Sequence, residues 1–142
     1  MAKTDFNFST RFRVRWSEVD PQGVVFNARY LEYADIGITE YYRALDRDFW
    51  KEPLEFHVKR ATVTWAKPIK PEEMIDVHVR TARTGTTSVT QLIEIHGAND
   101  TGTEDLRAEI ELVNVHVDLS EHRPIPIPDW LPAMYAKLDK PA

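Results

Sequence analysis

The stretch DPQGVVFNARYLEYADIGITEYYRAL, residues 20–45, places a tight turn directly before a long amphipathic helix. The letters DPQG suit a type I turn in which Asp20 stands first and Gly23 fourth. Between positions 28 and 45 apolar side chains recur at three- and four-residue steps, which is typical of a helix with one buried face. Asn27, just before this run, is the expected N-cap. The stretch therefore predicts a turn followed by a central helix.

Strand patterns flank this unit on both sides. Before it, residues 11–19 alternate apolar side chains with arginine, which indicates a half-buried strand. After it comes a charged and aromatic linker at 46–53, and Gly85 begins a hairpin turn further along. The tail is extended by its prolines and closes with a short helix from about Pro128. Four long strands are predicted after the helix, at about 56–66, 74–84, 87–97 and 105–119.

Two changes of phase in the apolar alternation predict β-bulges. In the last strand, alternate residues are apolar up to Leu112, and the alternation then moves to Val113. A similar break occurs at Lys59 and Arg60. Because a single helix covers only one face of a sheet, we expect an α+β domain in which a curved five-stranded antiparallel sheet wraps around one long central helix.

The composition describes an ordinary globular chain. Its 142 residues predict a single domain, 1–142. The absence of cysteine excludes disulfides, thiol nucleophiles and cysteine-bound zinc. The net charge of −5, from 18 Lys+Arg against 23 Asp+Glu, disfavours nucleic acid as a partner. No apolar run approaches the roughly 18 residues of a membrane span, and the first residues lack a signal-peptide pattern. We therefore expect a cytoplasmic protein with no membrane partner.

Several enzyme classes are excluded by their missing motifs. The sequence has no GxSxG elbow, GxGxxG loop, Walker loop or HExxH pair. All five histidines follow residue 56, and none pairs at a helical spacing. His116 and Asp118 can face the same way on a strand, but a metal site needs a third ligand. We expect no bound metal and no cofactor.

The turn and the helix start bring two chemical groups together. The first N–H groups of a helix lack intrahelical partners and lie at its positive end, where they can stabilise an oxyanion. Aspartate is ionised at neutral pH, so Asp20 can act as a general base or a nucleophile. A thioester suits this pair of groups, because a thiol with a pKa of about 8.5 leaves without an acid. Each residue also has a structural interpretation, Asp20 as a turn acceptor and Asn27 as a plain cap.

Two segments carry a resemblance to a known family. DPQGVVFNARYLEYAD at 20–35 and VHVDLSEHRPIPIPDWL at 115–131, with the strand order, resemble the hotdog-fold acyl-CoA thioesterases of the 4-hydroxybenzoyl-CoA thioesterase type. The resemblance covers roughly residues 8–132. Its specific part is Asp-Pro-x-Gly-[Val/Ile]-Val-aromatic, followed by a tyrosine three residues after Asn27. It implies hydrolysis of an acyl-CoA, with Asp20 as the catalytic carboxylate and the backbone N–H at about Asn27 as the donor to the thioester oxygen.

The resemblance also implies binding residues and an oligomer. Several relatives carry histidine or tyrosine where this chain has Asn27, so its side chain departs from the family pattern. The family's dimers place the site at a subunit interface and commonly pair, which implies a homodimer or a dimer-of-dimers homotetramer. CoA would enter only as part of the substrate. Residues implied in binding are Gly23, Val25, Phe26 and Tyr30 for the turn and acyl pocket, and Arg80 and Arg83, with Lys67, Lys70 and Arg123, for the CoA phosphates.

Two other functions remain open from the sequence. A hotdog hydratase or dehydratase would use a histidine near the central helix, and the first strand, turn and helix contain none. A binding module without catalytic activity would share the fold, because a fold alone does not guarantee chemistry. Release of free thiol from an acyl-CoA distinguishes hydrolysis from both.

Overall fold

A computed structural model describes residues 2–45 and 54–141, and in it a long helix lies against a strongly curved antiparallel sheet. The five long strands around one central helix confirm the architecture expected from the sequence. The predicted linker at 46–53 lies outside the described residues. The elements in chain order are β1 (Phe8–Arg13), α1 (Arg29–Ala44), β2 (Phe56–Trp65), β3 (Met74–Thr84), β4 (Ser88–Gly97), β5 (Leu106–Asp118), β6 (Arg123–Pro124) and α2 (Leu131–Leu138).

The strands are ordered β1-β3-β4-β5-β2, and every neighbouring pair is antiparallel. The two-residue β6 pairs with the end of β5. The predicted hairpin between β3 and β4 is confirmed, and Gly85 N–H donates to Ser88 O at 2.7 Å to close it. β1 and β2 are consequently the two edges of the main path.

Gly37 lets α1 approach the sheet closely. A Cβ atom at this position would lie 2.5 Å from Val77 Cγ1 and 3.1 Å from Val79 Cγ2. A glycine in the middle of a helix costs about 1 kcal/mol relative to alanine. The close packing of helix on strand compensates for that cost, as the buried rings of Tyr33 and Tyr41 on the same helix illustrate.

The first strand differs from its prediction at 11–19. β1 ends at Arg13, and a 3-10 turn at Trp16–Glu18 follows it. The carboxylate of Glu18 accepts the N–H of Arg15 at 2.8 Å, which turns the chain away from the sheet. Trp16 therefore lies outside the core, with 65% of its surface exposed.

One predicted bulge is confirmed and the other is wrong. The register of β2 against β5 shifts between Val58 and Arg60, where the break at Lys59 was expected. β5 itself has no extra residue near Leu112, and its pairing with β4 runs through this position without a shift. The inward alternation of β5 instead continues to Asn114, which is buried and donates from Nδ2 to Gln91 Oε1 at 3.3 Å. The sequence pattern missed this because an asparagine was not counted as an inward residue.

The two ends of the chain meet on the outer face of the sheet. Arg80 of β3 is 4% exposed, and its two terminal nitrogens each donate at 2.6 Å, Nη1 to Asp5 O and Nη2 to Lys140 O. Asp139 accepts a hydrogen bond from Tyr41 at 2.7 Å, which ties the end of α2 to α1. The short C-terminal helix expected from about Pro128 begins at Leu131. Within the described ranges, neither helix is long and apolar enough to cross a membrane.

The same outer face buries a pair of histidines. The rings of His78 and His96 lie 5.3 Å apart between centroids, and His78 is 7% exposed. His78 Nε2 has no hydrogen-bond partner in the described structure, whereas His96 Nε2 bonds Glu94 Oε1 at 2.9 Å. Burial, helped by the neighbouring His96, lowers the pKa of His78 to about 4.

We expect His78 to make the protein less stable as the pH falls from about 6.5 to about 4. Above an unfolded-state pKa of about 6.5 this histidine is neutral in both states. Below pH 6.5, the unfolded chain binds a proton at this histidine, whereas the folded protein binds it only near pH 4. The free energy of unfolding therefore falls by roughly 3 kcal/mol between these two pH values. In urea unfolding across this pH range, the free energy of unfolding should fall less steeply with pH in His78→Phe than in the wild type. An unchanged slope in His78→Phe, or an equal flattening in the exposed control His122→Asn, would contradict the assignment.

Candidate functional site

The loop before α1 is closed by a short two-stranded stem. Val19 pairs with Val25, and the N–H of Phe26 donates to Glu18 O at 2.9 Å. Inside the stem, the N–H of Gly23 donates to Asp20 O at 3.0 Å, which is the bond expected of the predicted turn. Gly23 adopts φ +79, a conformation that glycine accepts without steric cost. The local sequence therefore fixes where Asp20 stands.

Asp20 has a structural bond and also a free oxygen. Its Oδ1 accepts the N–H of Gln22 at 2.8 Å, so the carboxylate stabilises its own turn. Its Oδ2 has no protein partner in the described residues, and the side chain is only partly buried. One oxygen of this acid can therefore accept a proton while the other keeps its orientation.

The start of α1 leaves two backbone amides unpaired. The N-cap is Ala28, not Asn27 as predicted, and no side chain caps the helix. The N–H of Arg29 donates to Phe26 O at 2.9 Å, so the chain is already turning before the helix begins. The amides of Asn27 and Ala28 have no partner in the part of the chain that the structure describes. They lie at the positive end of a 16-residue helix, where an oxyanion is favoured.

Glu18 couples the loop to the helix, and the sequence analysis did not single it out. The residue is 5% exposed, and Tyr33 of α1 donates to its Oε1 at 2.9 Å. Burial alone would raise the pKa of Glu18, but hydrogen bonds from the Arg15 N–H, Tyr33 and the Arg15 side chain outweigh it and keep the pKa below its usual value. Alternation in the sequence does not reveal this role, because Trp16 has the same parity as Glu18 and is exposed.

A buried arginine fixes the segment that the loop packs on. The N–H of Val25 donates to Ile69 O at 2.9 Å. Next to Ile69, Arg107 donates from Nη1 to Pro68 O at 3.0 Å and from Nη2 to Glu73 Oε2 at 2.7 Å. Arg107 also bonds Asp105 and, with Lys67, lowers the pKa of Asp105 to about 2. These bonds hold the segment in place without a helix or strand.

The residues predicted to bind the acyl group differ in accessibility. Val25 and Tyr30 are buried, so they support the site from beneath. Phe26 is half exposed beside the helix start. The ring of Tyr30 packs edge-on against Trp65 of β2, with the centroids 6.0 Å apart. Gly23 and Phe26 of the predicted set are therefore exposed to a ligand, and the neighbouring Trp65 adds a second exposed aromatic surface.

Within a single chain, Arg80 and Arg83 lie away from the loop that carries Asp20. β3 starts opposite Arg13, near the loop, and Arg83 lies nine residues further along, roughly 30 Å at strand spacing. Arg80 is buried and bonded to two carbonyls. Of the basic residues expected at the CoA phosphates, Lys67 and Lys70 lie beside the loop, on either side of Ile69, whose carbonyl accepts the N–H of Val25.

A groove runs along α1 from its first turns to its last. It has a volume of about 400 Å³, and its walls come from α1, β2, β4 and β5. Leu31, which begins the groove, follows Asn27 by one helical turn. The helical residues on this wall are Leu31, Asp35, Ile38, Thr39 and Tyr42, and the opposite wall includes Phe56, Val58, Ala61, Gln91, Leu112 and Asn114.

One group of possible metal ligands occurs in the described residues, on the outer face. Glu94, His96 and Glu104 place ligand atoms within 4.8 Å of one another. The two carboxylates, however, face different ring nitrogens, Glu94 at Nε2 and Glu104 at Nδ1, 3.7 Å away. Nδ1 also accepts the N–H of Asp105 at 3.2 Å. A single ion cannot lie in front of both nitrogens, so the arrangement fits a hydrogen-bonded network.

Comparison with known proteins adds the family context. The model of the Thioesterase-like superfamily matches residues 14–135. A thioesterase from Thermus thermophilus, solved with coenzyme A and Zn, is 26% identical with a TM-score of 0.83, and the match covers 97% of this chain and 98% of that one. A 1,4-dihydroxy-2-naphthoyl-CoA thioesterase from Synechocystis is 17% identical over 94% and 98% of the two chains, with a TM-score of 0.81.

A third solved structure shares the fold at lower identity. It is a 4-hydroxybenzoyl CoA thioesterase mutant in complex with 4-hydroxybenzoyl CoA, 12% identical with a TM-score of 0.81, covering 91% of this chain and 98% of that one. No curated protein matches the chain significantly. The three structures share the curved sheet and central helix along nearly their whole lengths.

Proposed function

The chain belongs to the Thioesterase-like superfamily and has the hotdog fold, and from this premise we propose that it hydrolyses acyl-CoA thioesters to the free acid and CoA. The observation that carries the proposal is the turn holding Asp20 directly before a helix start with two unpaired amides. Such a pair supplies the two things that thioester hydrolysis needs, an activated oxygen nucleophile and a site for the developing oxyanion.

In the proposed reaction, the substrate carbonyl oxygen accepts hydrogen bonds from the amides of Asn27 and Ala28. With Asp20 as general base, its free oxygen takes a proton from a water molecule as that water attacks the carbonyl carbon. The C–S bond then breaks, and CoA leaves as the thiolate without needing an acid. With Asp20 as nucleophile, the same carboxylate attacks first and water hydrolyses the resulting anhydride. Both routes use the same amides and the same acid.

Thiol release is the direct test of this function. Free CoA should appear when short, long and aromatic acyl-CoAs are each incubated with the protein and a thiol reagent. Tight binding of acyl-CoA without thiol release would favour a binding module. Addition of water to enoyl-CoA without thiol release would instead indicate a hydratase.

The CoA phosphates need local positive charge, because the chain carries a net charge of −5. We assign this role to Lys67 and Lys70, which lie beside the loop. Lys67 Nζ forms an ion pair with Asp105 Oδ1 at 3.0 Å, and Lys70 has no ion-pair partner in the described chain. Arg80 and Arg83 are left out of this role because of their positions at the far end of β3.

A second copy of the chain is the proposed partner at the β2 edge. β2 pairs only with β5, so its other side leaves backbone groups unpaired in the described chain. Large apolar side chains are also exposed there, Val58 at 60% and Trp65 at 49%. An isologous dimer would cover this edge and place each loop near the partner subunit. The cytoplasmic location stays a prediction.

Val58→Lys is expected to convert the dimer to a monomer, because each protomer would bring an unpaired charge into an apolar interface. Light scattering after size exclusion measures the mass, and it also distinguishes a dimer from the expected tetramer. Leu119→Lys is the matched control, since Leu119 is an exposed apolar residue just after β5. Equal masses for Val58→Lys and the wild-type oligomer would place the interface elsewhere.

A further inference from the structure

The groove along α1 is long enough for an extended acyl chain. From Leu31 to Tyr42 the helix advances roughly 16 Å, at about 1.5 Å per residue. The volume of about 400 Å³ falls in the range of ligand pockets, which is about 300–1,000 Å³. Because the groove begins one turn after the unpaired amides, a thioester held there could extend its acyl chain along α1.

The wall of this groove changes character along its length. Along the earlier part of α1 its apolar residues are Leu31 and Ile38. Toward the end of α1 it includes Tyr42, Gln91 and Asn114. Polar side chains at such positions are unusual here, because the neighbouring inward residues of β4 and β5 are isoleucine, leucine and valine.

These polar side chains form one connected row. Asn114 Nδ2 donates to Gln91 Oε1 at 3.3 Å, and Gln91 Nε2 donates to the Tyr42 hydroxyl at 3.3 Å. The Tyr42 hydroxyl is also bonded to that of Tyr135. All four side chains are buried. We call Tyr42, Gln91 and Asn114 the polar row.

The polar row has a cost that an apolar wall would avoid. Buried polar groups lose their contacts with water, and bonds between them return little net stability. Apolar side chains of similar size would therefore fill these positions as well. Asn114 Oδ1 also has no hydrogen-bond partner in the described structure, which leaves an acceptor on the groove wall.

We propose that the polar row recognises a hydroxyl group near the far end of the acyl chain, so that hydroxyacyl-CoAs are the favoured substrates. This inference rests on the proposed thioesterase function and names its substrate class. The acyl chain lies along α1, its apolar part against Leu31 and Ile38. Its hydroxyl donates to Asn114 Oδ1. An unsubstituted chain of the same length leaves that acceptor unpaired and dehydrated.

The test compares ω-hydroxyhexadecanoyl-CoA with hexadecanoyl-CoA by thiol release. The wild type should show a kcat/KM about tenfold higher for the hydroxylated substrate, the size expected of one hydrogen bond of about 1.4 kcal/mol. Asn114→Leu keeps the branched shape and the number of heavy atoms but removes the acceptor, so it should abolish the preference. Thr39→Val is the control, because Thr39 lies on the same wall and its hydroxyl already donates to Asp35 O.

The possible outcomes distinguish this proposal from the thioesterase function on which it rests. Equal kcat/KM for the two substrates in the wild type would overturn the role of the polar row and leave the thioesterase function intact. A preference that survives in Asn114→Leu would do the same. No thiol release from any acyl-CoA would overturn the thioesterase function, and the substrate class would fall with it. The wild-type comparison requires no variant to fold.

Discussion

Asp20→Asn is expected to lower kcat for acyl-CoA hydrolysis by about 10²–10⁴-fold, the usual contribution of a positioned base. The substitution changes the charge and basicity of the side chain but little else. An asparagine Oδ1 can still accept the N–H of Gln22, so the turn keeps the bond that Asp20 makes at 2.8 Å. The fold and the affinity for CoA should therefore be unchanged. Thiol release at saturating substrate measures the effect, and Asp129→Asn serves as an exposed control.

A second substitution separates the structural bond of Asp20 from its chemistry. Asp20→Ala removes both, so it should match Asp20→Asn in kcat and also lose about 1 kcal/mol of stability. If Asp20→Asn hydrolyses acyl-CoA at the wild-type rate, the acid serves only its turn and the proposed mechanism is wrong. If only Asp20→Ala loses activity, the turn bond and not the charge is what the site needs.

Removing either unpaired amide at the start of α1 is expected to reduce kcat by about 10²–10³-fold, as losing one oxyanion donor does. Proline removes a backbone N–H and also disfavours the helical conformation in the residue before it. Asn27 is the first central residue of the turn that Arg29 N–H and Phe26 O close, a position that favours proline, so Asn27→Pro should fold normally and retain the wild-type melting temperature and oligomeric mass. Ala28→Pro removes the second amide, and its φ of −67 suits the ring, but the ring restricts Asn27 within the turn, so this variant should have a lower melting temperature.

Asn27→Ala is the matched control for these proline variants. It removes the side chain and keeps the amide, so it should retain most of the activity. A loss in Asn27→Ala as large as in the prolines would make the side chain the donor, in line with the histidine or tyrosine found there in some relatives. Full activity in both proline variants would place the oxyanion at a different part of the fold.

The sequence predicted the helix and the long strands because repeated patterns determine them. The three- and four-residue spacing of α1 and the alternation of β3 and β4 extend over ten or more residues, so single exceptions do not hide them. The turn was equally clear, since Asp20 and Gly23 each suit one position of it. Such patterns depend on residues that are close in sequence, so they can be recognised without knowledge of the tertiary contacts.

The errors arose where a distant contact decided the outcome. Glu18 ends the first strand early because its buried carboxylate is shared by Arg15 and the helix, which alternation alone does not reveal. Asn114 stays inward because Gln91 of another strand provides a partner. Arg80 was expected at the phosphates on charge alone, but its guanidinium is bound by two carbonyls from opposite ends of the chain.

The single guanidinium of Arg80 holds residues 5 and 140 within reach of one side chain, so these two segments lie side by side. A short peptide could therefore join them, and a circular permutant could begin and end at an exposed position such as Gly102 without disturbing any strand.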